Sequence, residues 1–378
     1  MVASQETCRS GAAFAGLSSE MHRARRLGKD VMITYSCTVA RGAAFSVALM
    51  ASAISAGAQS STNRDIEIAN CGRTLHFSET PERAVTIGQG LTEIMLRLGL
   101  KDRIVGTSLW LGPLPADLRE HGAALPRLAD NSPAFEAVLK TRPQIVLNEW
   151  SGDVGDEGGR VGSVAQFQDF GIEIYTSASE CAKIKPTSGD GDGTRDTPWA
   201  VGLLERDIAD LARIFDVPEA GDRLIAANRA RIEAAAAHAA DLQAKDVSVL
   251  YWFSSPADVE GEAYVAGQLG APGWISTVVG VRNVIDSNAE WPLVGWETIA
   301  ALDPTVIVLA TMDRRRQPAD DVAVRRHFLM TDPVVSQLTA VREGNLIEMD
   351  AQSMNPTLRS VDGVETLAEG LRTRGLTE

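Results

Sequence analysis

The sequence predicts an α/β protein of two Rossmann-like lobes with parallel-rich sheets, joined by one long α-helix. Three observations predict it. From Arg83 onward short apolar runs alternate with amphipathic ones, the pattern of a parallel sheet flanked by helices. Asp222 to Lys245 contains no Gly or Pro and is dominated by Ala, enough for a helix of about 35 Å at 1.5 Å per residue. A short helix, a Pro break and a buried strand recur as a unit in each half. The 378 residues exceed the usual single domain, and 44% hydrophobic with 23% charged residues excludes collagen-like and largely disordered classes.

Val85-Thr86-Ile87 reads as a strand, Thr92 to Leu98 as a helix and Ile104-Val105-Gly106 as the next strand. A helix near Ala134 to Lys140, the strand Ile145-Val146-Leu147, the helix Ser163 to Phe170 and the strand Ile172 to Tyr175 continue the first lobe. Lys183 to Pro198 reads as a loop, and its alternating Gly and Asp lack the full ligand set and terminal Glu of a calcium-binding helical hand. Leu204, Ile208, Leu211 and Phe215 recur at helical spacing until Val217-Pro218, which reads as the end of that helix. The long helix follows, then the strand Val247 to Trp252, a helix near Pro272 to Val279 and the strand Val306 to Leu309. A helix around Val322 to Phe328, the strand Leu346-Ile347 and a helix from Val361 to Arg372 close the second lobe. The chain thereby divides into an N-terminal extension with signal peptide (1–58), an N-terminal lobe (59–220), a connecting helix (221–245) and a C-terminal lobe (246–378). A stiff Ala-rich connector predicts little closure of the lobes on binding.

Arg41 precedes the apolar run Gly42 to Ala53, and Ala56-Gly57-Ala58 supplies a small-residue cleavage site before Gln59. That is the layout of a cleavable secretory signal, too short and too rich in Ala and Ser for a membrane span. Arg23, Arg25 and Arg26 lack the flanking pattern of a twin-arginine signal, so the sequence reads as translated from Met32 instead of Met1. No Cys follows the cleavage point, so no lipid anchor is indicated there. Removing residues 1–58 takes away six Lys/Arg and three Asp/Glu, leaving 30 basic against 47 acidic residues and a net charge of −17. Nucleic acid and anionic membrane are disfavoured partners at that charge. Of four Cys, only Cys71 and Cys181 lie beyond the signal. In an oxidising compartment they are a candidate disulfide, with a reactive thiol or a metal ligand as the alternatives.

Glu136-Ala137-Val138-Leu139-Lys140-Thr141-Arg142-Pro143 leads into Gln144-Ile145-Val146-Leu147, and Glu297-Thr298-Ile299-Ala300-Ala301-Leu302-Asp303-Pro304 leads into Thr305-Val306-Ile307-Val308. Glu and Pro are seven apart in both, and an aromatic residue, Phe135 or Trp296, precedes each Glu. A Glu in a first helical turn is favoured by the helix dipole alone. Its repetition at one spacing in each half argues for a shared role.

With Arg83-Ala84-Val85-Thr86-Ile87-Gly88, Thr92-Glu93-Ile94 and Arg103-Ile104-Val105-Gly106, these motifs resemble the periplasmic binding proteins of ATP-driven importers for iron chelates, haem and vitamin B12, over nearly all of residues 65–376. The resemblance implies a monomeric, non-enzymatic periplasmic carrier without a cofactor of its own. It would deliver a small molecule to an inner-membrane permease and its ATPase, with Glu136 and Glu297 docking into basic pockets of the permease. Asn70-Cys71-Gly72 and Ser179-Glu180-Cys181 are similar to a subset linked to precursors of a deazaflavin cofactor, which keeps phosphorylated organic cofactors open.

Ligands of open α/β sheets sit beyond the carboxyl ends of the strands. That rule selects Gln89, Trp110, Trp150 and Asp153 from the first lobe, and Trp252, Tyr264, Met312, Arg314 and Gln352 from the second, with Trp291 on the loop before Glu297. The Trp residues suit a large flat ligand, although any one of them fits a core equally well. Arg314 heads Arg314-Arg315-Arg316 and is placed to clamp a carboxylate or phosphate; Arg315 and Arg316 read equally well as a solvated run. A bare metal ion would need His or carboxylates converging at strand ends, and His76, His121, His238 and His327 follow no core strand. A secreted two-domain hydrolase is the enzymatic alternative. Gly88-Gln89-Gly90 imitates a dinucleotide loop but has Glu93 where the third Gly belongs, and neither a nucleophile elbow nor a zinc-protease motif is present.

Overall fold

A computed structural model describes residues 65–184, 193–238, 246–256, 258–313 and 316–377. The signal-peptide reading, the glycine-rich part of the 183–198 loop, Arg314 and Arg315 lie outside these residues.

The first lobe begins with a hairpin of β1 (Ile66–Asn70) and β2 (Arg73–Phe77), turned by Cys71 and Gly72. Both turn residues have positive φ, 47° and 76°, as a tight two-residue hairpin requires. There follow β3 (Ala84–Ile87), α1 (Gln89–Arg97), β4 (Ile104–Ser108), α2 (Arg119–Ala123), β5 (Arg127–Ala129), α3 (Phe135–Lys140), β6 (Ile145–Asn148), the short pair β7 (Val154–Gly155) and β8 (Gly162–Ser163), α4 (Val164–Gln168), β9 (Glu173–Thr176), α5 (Ala178–Cys181) and α6 (Val201–Ile214). The five-stranded sheet runs β5-β4-β3-β6-β9 and is parallel throughout. Every residue of β3 and β6 is buried, because helices cover both faces. Ile94, Leu147, Ile208 and Leu211 pack in the core on one face, and Val85, Val146, Phe167 and Ile174 on the other.

The connecting helix α7 (Pro218–His238) starts four residues before the expected Asp222. Pro218 opens this helix instead of ending the one before, since its fixed φ and missing N–H suit a first turn; α6 has already ended, and Asp216 turns the chain at φ 62°. The 21 described residues span about 31 Å. Arg229 pairs with Glu205 of α6 at 2.6 Å, and Arg231 pairs at 2.6 Å with Asp362 and Glu365 near the C-terminus. The helix is thus gripped by both lobes.

The second lobe contains β10 (Ser248–Ser254), β11 (Glu262–Val265), α8 (Ala271–Val279), β12 (Arg282–Asn283), β13 (Leu293–Gly295), α9 (Trp296–Leu302), β14 (Val306–Thr311), α10 (Val322–Thr331), α11 (Thr339–Arg342), β15 (Leu346–Asp350) and α12 (Ser360–Thr373). Its sheet runs β13-β11-β10-β14-β15, with β12 also on β10. The β12-β10, β10-β14 and β14-β15 pairings are parallel, whereas β11 and β13 extend the sheet antiparallel. Among the described residues no helix is long and apolar enough to cross a membrane.

Candidate functional site

A cleft of about 1180 Å³ lies between the lobes. Strand ends supply much of it: β6 leads to Trp150, β9 to Glu180, β10 ends in Phe253 and Ser254, and β15 leads to Gln352. The second lobe presents an aromatic wall of Tyr264, Phe253 and Trp291, the last two with ring centroids 4.8 Å apart. The first lobe faces it with Trp150 and the loop Ser151 to Arg160. Three glycines shape that loop. A Cβ on Gly155 would meet the Gly158 carbonyl oxygen at 2.7 Å, one on Gly159 the Asp153 oxygen at 2.4 Å, and Gly158 has φ 122°. A backbone turned this tightly brings main chain, unscreened by side chains, to the cleft.

Charged groups interrupt the apolar lining. Arg73 pairs with Asp156 at 2.6 Å, so the hairpin holds the glycine loop. Arg160 bonds both oxygens of the buried Asp153, at 2.9 and 3.0 Å. Arg316 donates to Asn131 Oδ1 at 2.7 Å across the lobes. Cys71 and Cys181 form a disulfide on the same wall, and Asn70 beside it exchanges hydrogen bonds with the Thr176 backbone at 2.7 and 2.8 Å. Among the described residues no cluster of three or more His, Cys, Asp or Glu is placed to hold a metal ion.

With this cleft between two α/β lobes in view, residues 85–353 match the model of the periplasmic binding protein family. The chain belongs to that family. Its members are substrate-binding proteins, not enzymes. Three solved structures share the fold. A periplasmic binding protein from Veillonella parvula is 22% identical with a TM-score of 0.64, covering 82% of this chain and 97% of that one. An ABC-type Fe3+-hydroxamate transport system from Saccharomonospora viridis gives 21% and 0.64 over 81% and 99%. A periplasmic haem-binding protein from Pseudomonas aeruginosa gives 22% and 0.58 over 79% and 94%. No curated protein sequence matches the chain.

In this binding protein Trp150, Tyr264, Trp291 and Gln352 line the cleft, whereas Gln89, Trp110 and Trp252 do not. Gln89 is buried in the first turn of α1, where its amide oxygen accepts from the Leu111 and Gly112 N–H groups at 3.0 and 3.3 Å. Leu109, at φ 59°, turns Trp110 inward, where its indole donates to Thr107 Oγ1 at 2.9 Å and the Arg127 guanidinium lies 4.0 Å over the ring. Trp252 stands two residues before the end of β10 and points into the core on the far face, T-stacked on Trp296 at 4.6 Å. Asp153 and Met312 are buried as well. Arg316, which from sequence reads equally well as a solvated residue, lines the cleft together with Phe253, Arg73, Glu180 and Lys183, none of which is selected by strand-end position.

The dinucleotide-loop resemblance fails on geometry. Glu149 Oε2 accepts from the Gly90 N–H at 2.6 Å and the Leu91 N–H at 3.3 Å, so a side chain occupies the helix N-terminus that a phosphate would need. Burial pushes the Glu149 carboxyl up to about 8, against the lowering effect of those two hydrogen bonds.

Glu136 and Glu297 are both exposed, each the second residue of its helix. The two motifs match further: Arg142 (φ 49°) and Asp303 (φ 39°) are left-handed immediately before Pro143 and Pro304.

Proposed function

We propose that this chain is the solute-capturing component of an ATP-driven importer. In this reading it is exported by a cleavable signal ending near Ala58, works as a monomer in the periplasm, and binds an iron-siderophore, haem or corrinoid-type ligand in the cleft. It then delivers that ligand by docking Glu136 and Glu297 on the permease. The first lobe runs from residue 59 to the start of α7 at Pro218, and the second covers residues 246–378. The observation that carries the reading is the aromatic wall of Phe253, Tyr264 and Trp291 opposite Trp150 in a cleft that large. Such surfaces suit rigid, bulky, partly apolar solutes. The proteins from Saccharomonospora viridis and Pseudomonas aeruginosa, named for a ferric hydroxamate and for haem, support the ligand class. A phosphorylated organic cofactor is the second reading, favoured by Arg73, Arg160 and Arg316 on the cleft.

The test is to purify the protein from its native periplasm, identify any co-purifying compound by absorption and mass, and titrate the apoprotein with haemin, a ferric siderophore and a corrinoid while following tryptophan emission. Quenching by one of them supports the proposal. Turnover of the bound compound, or no response to any, would overturn it.

A further inference from the structure

One buried lysine joins the cleft's first-lobe aromatic face to the opposite lobe. The Lys183 side chain is 7% exposed, and its ammonium pairs with Glu180 of its own lobe and with Glu290 of the second lobe at 2.8 Å. It also lies 5.4 Å from the centroid of the Trp150 ring. Glu180 fixes the chain beside that ring, because its Oε2 accepts from the Ser151 N–H at 3.0 Å and the Ser151 hydroxyl at 2.9 Å. Glu290 is held in turn by Arg195 at 2.6 Å. Two carboxylates and two cations therefore balance in a nearly dry cluster, the condition under which buried ion pairs are tolerated. Burial works against the Lys183 ammonium, yet Glu180 and Glu290 together raise its pKa above the ordinary lysine value.

The geometry points to Lys183 as a positioning and specificity residue: its ammonium lies over one face of Trp150 and polarises the indole, so the other face receives a planar, electron-rich or anionic ring. This deepens the import reading and rests on the same cleft. Trp150 and Lys183 both border the cleft, but the Lys183 side chain is only 7% exposed and its ammonium is engaged by two carboxylates, so a solute meets chiefly the ring. An ammonium over one face of an indole draws π density toward itself. The other face then repels anionic rings less and attracts cations less than a free indole would. Through Glu290 the same ammonium ties this face to the opposite wall, so separating the lobes releases the ring.

Replacing Lys183 alone by Met would strand two carboxylates against one guanidinium, so the informative variant is Lys183→Met with Glu180→Gln. Gln keeps an acceptor for Ser151, and Arg195 with Glu290 remains neutral. Lys183→Arg serves as the conservative rescue. In the apoprotein, the emission lost on Trp150→Phe reports this ring alone. That component should shift in the double variant and stay in Lys183→Arg; no shift in the double variant would overturn the positioning role whatever the ligand is. For specificity, full-length protein is titrated with protoporphyrin IX and with the tetracationic tetra(N-methylpyridyl)porphyrin. The native protein should prefer the anionic porphyrin, and the double variant should lose about tenfold of that affinity. Binding the cationic porphyrin as tightly, or binding neither, would overturn the ligand class. Failure of the import reading shows separately, as absence of solute-dependent uptake with the Trp150 shift intact.

Discussion

Phe135 and Trp296 occupy matching places, one residue before Glu136 and Glu297, yet they are packed in opposite ways. Trp296 is sealed among Trp252 at 4.6 Å and Phe328 at 5.0 Å, and its indole donates to the Val259 carbonyl at 2.7 Å. Phe135 is the middle rung of a ladder: it stacks edge-on at 4.8 Å on the buried Phe167, and at 6.0 Å on Phe170, which is 62% exposed. The exposed Glu, the short helix, the left-handed residue and the Pro are alike in both lobes, while the support beneath them differs. The first lobe adds other ties, the Cys71–Cys181 disulfide and the buried Glu149 cap on α1. The position of each Glu is thus set by backbone geometry, and the aromatic packing below is free to vary.

The largest expected effect follows from that likeness. Glu136→Ala with Glu297→Ala should abolish uptake while solute affinity, read by calorimetry, stays within about twofold of native. Each single variant should impair uptake comparably despite the different packing; a marked inequality would break the comparison, and a large loss of affinity would put these residues in the cleft.

The unlike supports separate in stability. Trp296→Ala removes a closed aromatic contact and should destabilise by about 3–5 kcal/mol in urea unfolding, against about 1–2 kcal/mol for the half-exposed Phe135→Ala. Equal losses would show that the ladder is as closed as the box. Reducing Cys71–Cys181, which spans 110 residues of the first lobe, should lower stability by about 2–4 kcal/mol. Hydrogen exchange should then rise in β1, β2 and α5 and not in the second lobe; exchange rising equally in both would erase the contrast.

The last effect is read against pH and concerns Glu149. Its carboxyl is raised from near 4.5 to about 8, so the stability linked to its protonated form is full below pH 4.5 and is lost as pH climbs toward 8. Native melting temperature should therefore decline across that window, and Glu149→Gln, which keeps an acceptor for Gly90, should flatten the decline. An unchanged slope would remove Glu149 as its source.

The central parallel strands and the longer helices were legible in the sequence, because β3, β6, β10 and β14 are apolar runs and each is set off by polar or Pro-containing segments. The edge strands were not. Glu262–Val265 and Leu293–Gly295 are too short and mixed to show a period, and they form through pairing with β10 and with each other. The cleft was legible only in part. Strand-end position located Trp150 and Gln352, but it cannot tell which way a side chain turns: a two-residue continuation of β10 put Phe253 on the cleft and Trp252 in the core. Lys183 and Glu290 meet only in three dimensions, 107 residues apart in a sequence where each reads as an ordinary loop charge.

Each Glu-to-Pro motif also opens directly into a core strand, and the far ends of those strands lie near the cleft. β6 leaves Pro143 and after five buried residues, Ile145 to Glu149, delivers Trp150; β14 leaves Pro304 and leads toward Arg316. Both β6 and β14 are interior strands, hydrogen-bonded to a neighbour on each side. A partner docking on Glu136 and Glu297, as proposed, would therefore stand at one end of two core strands whose other ends border the cargo.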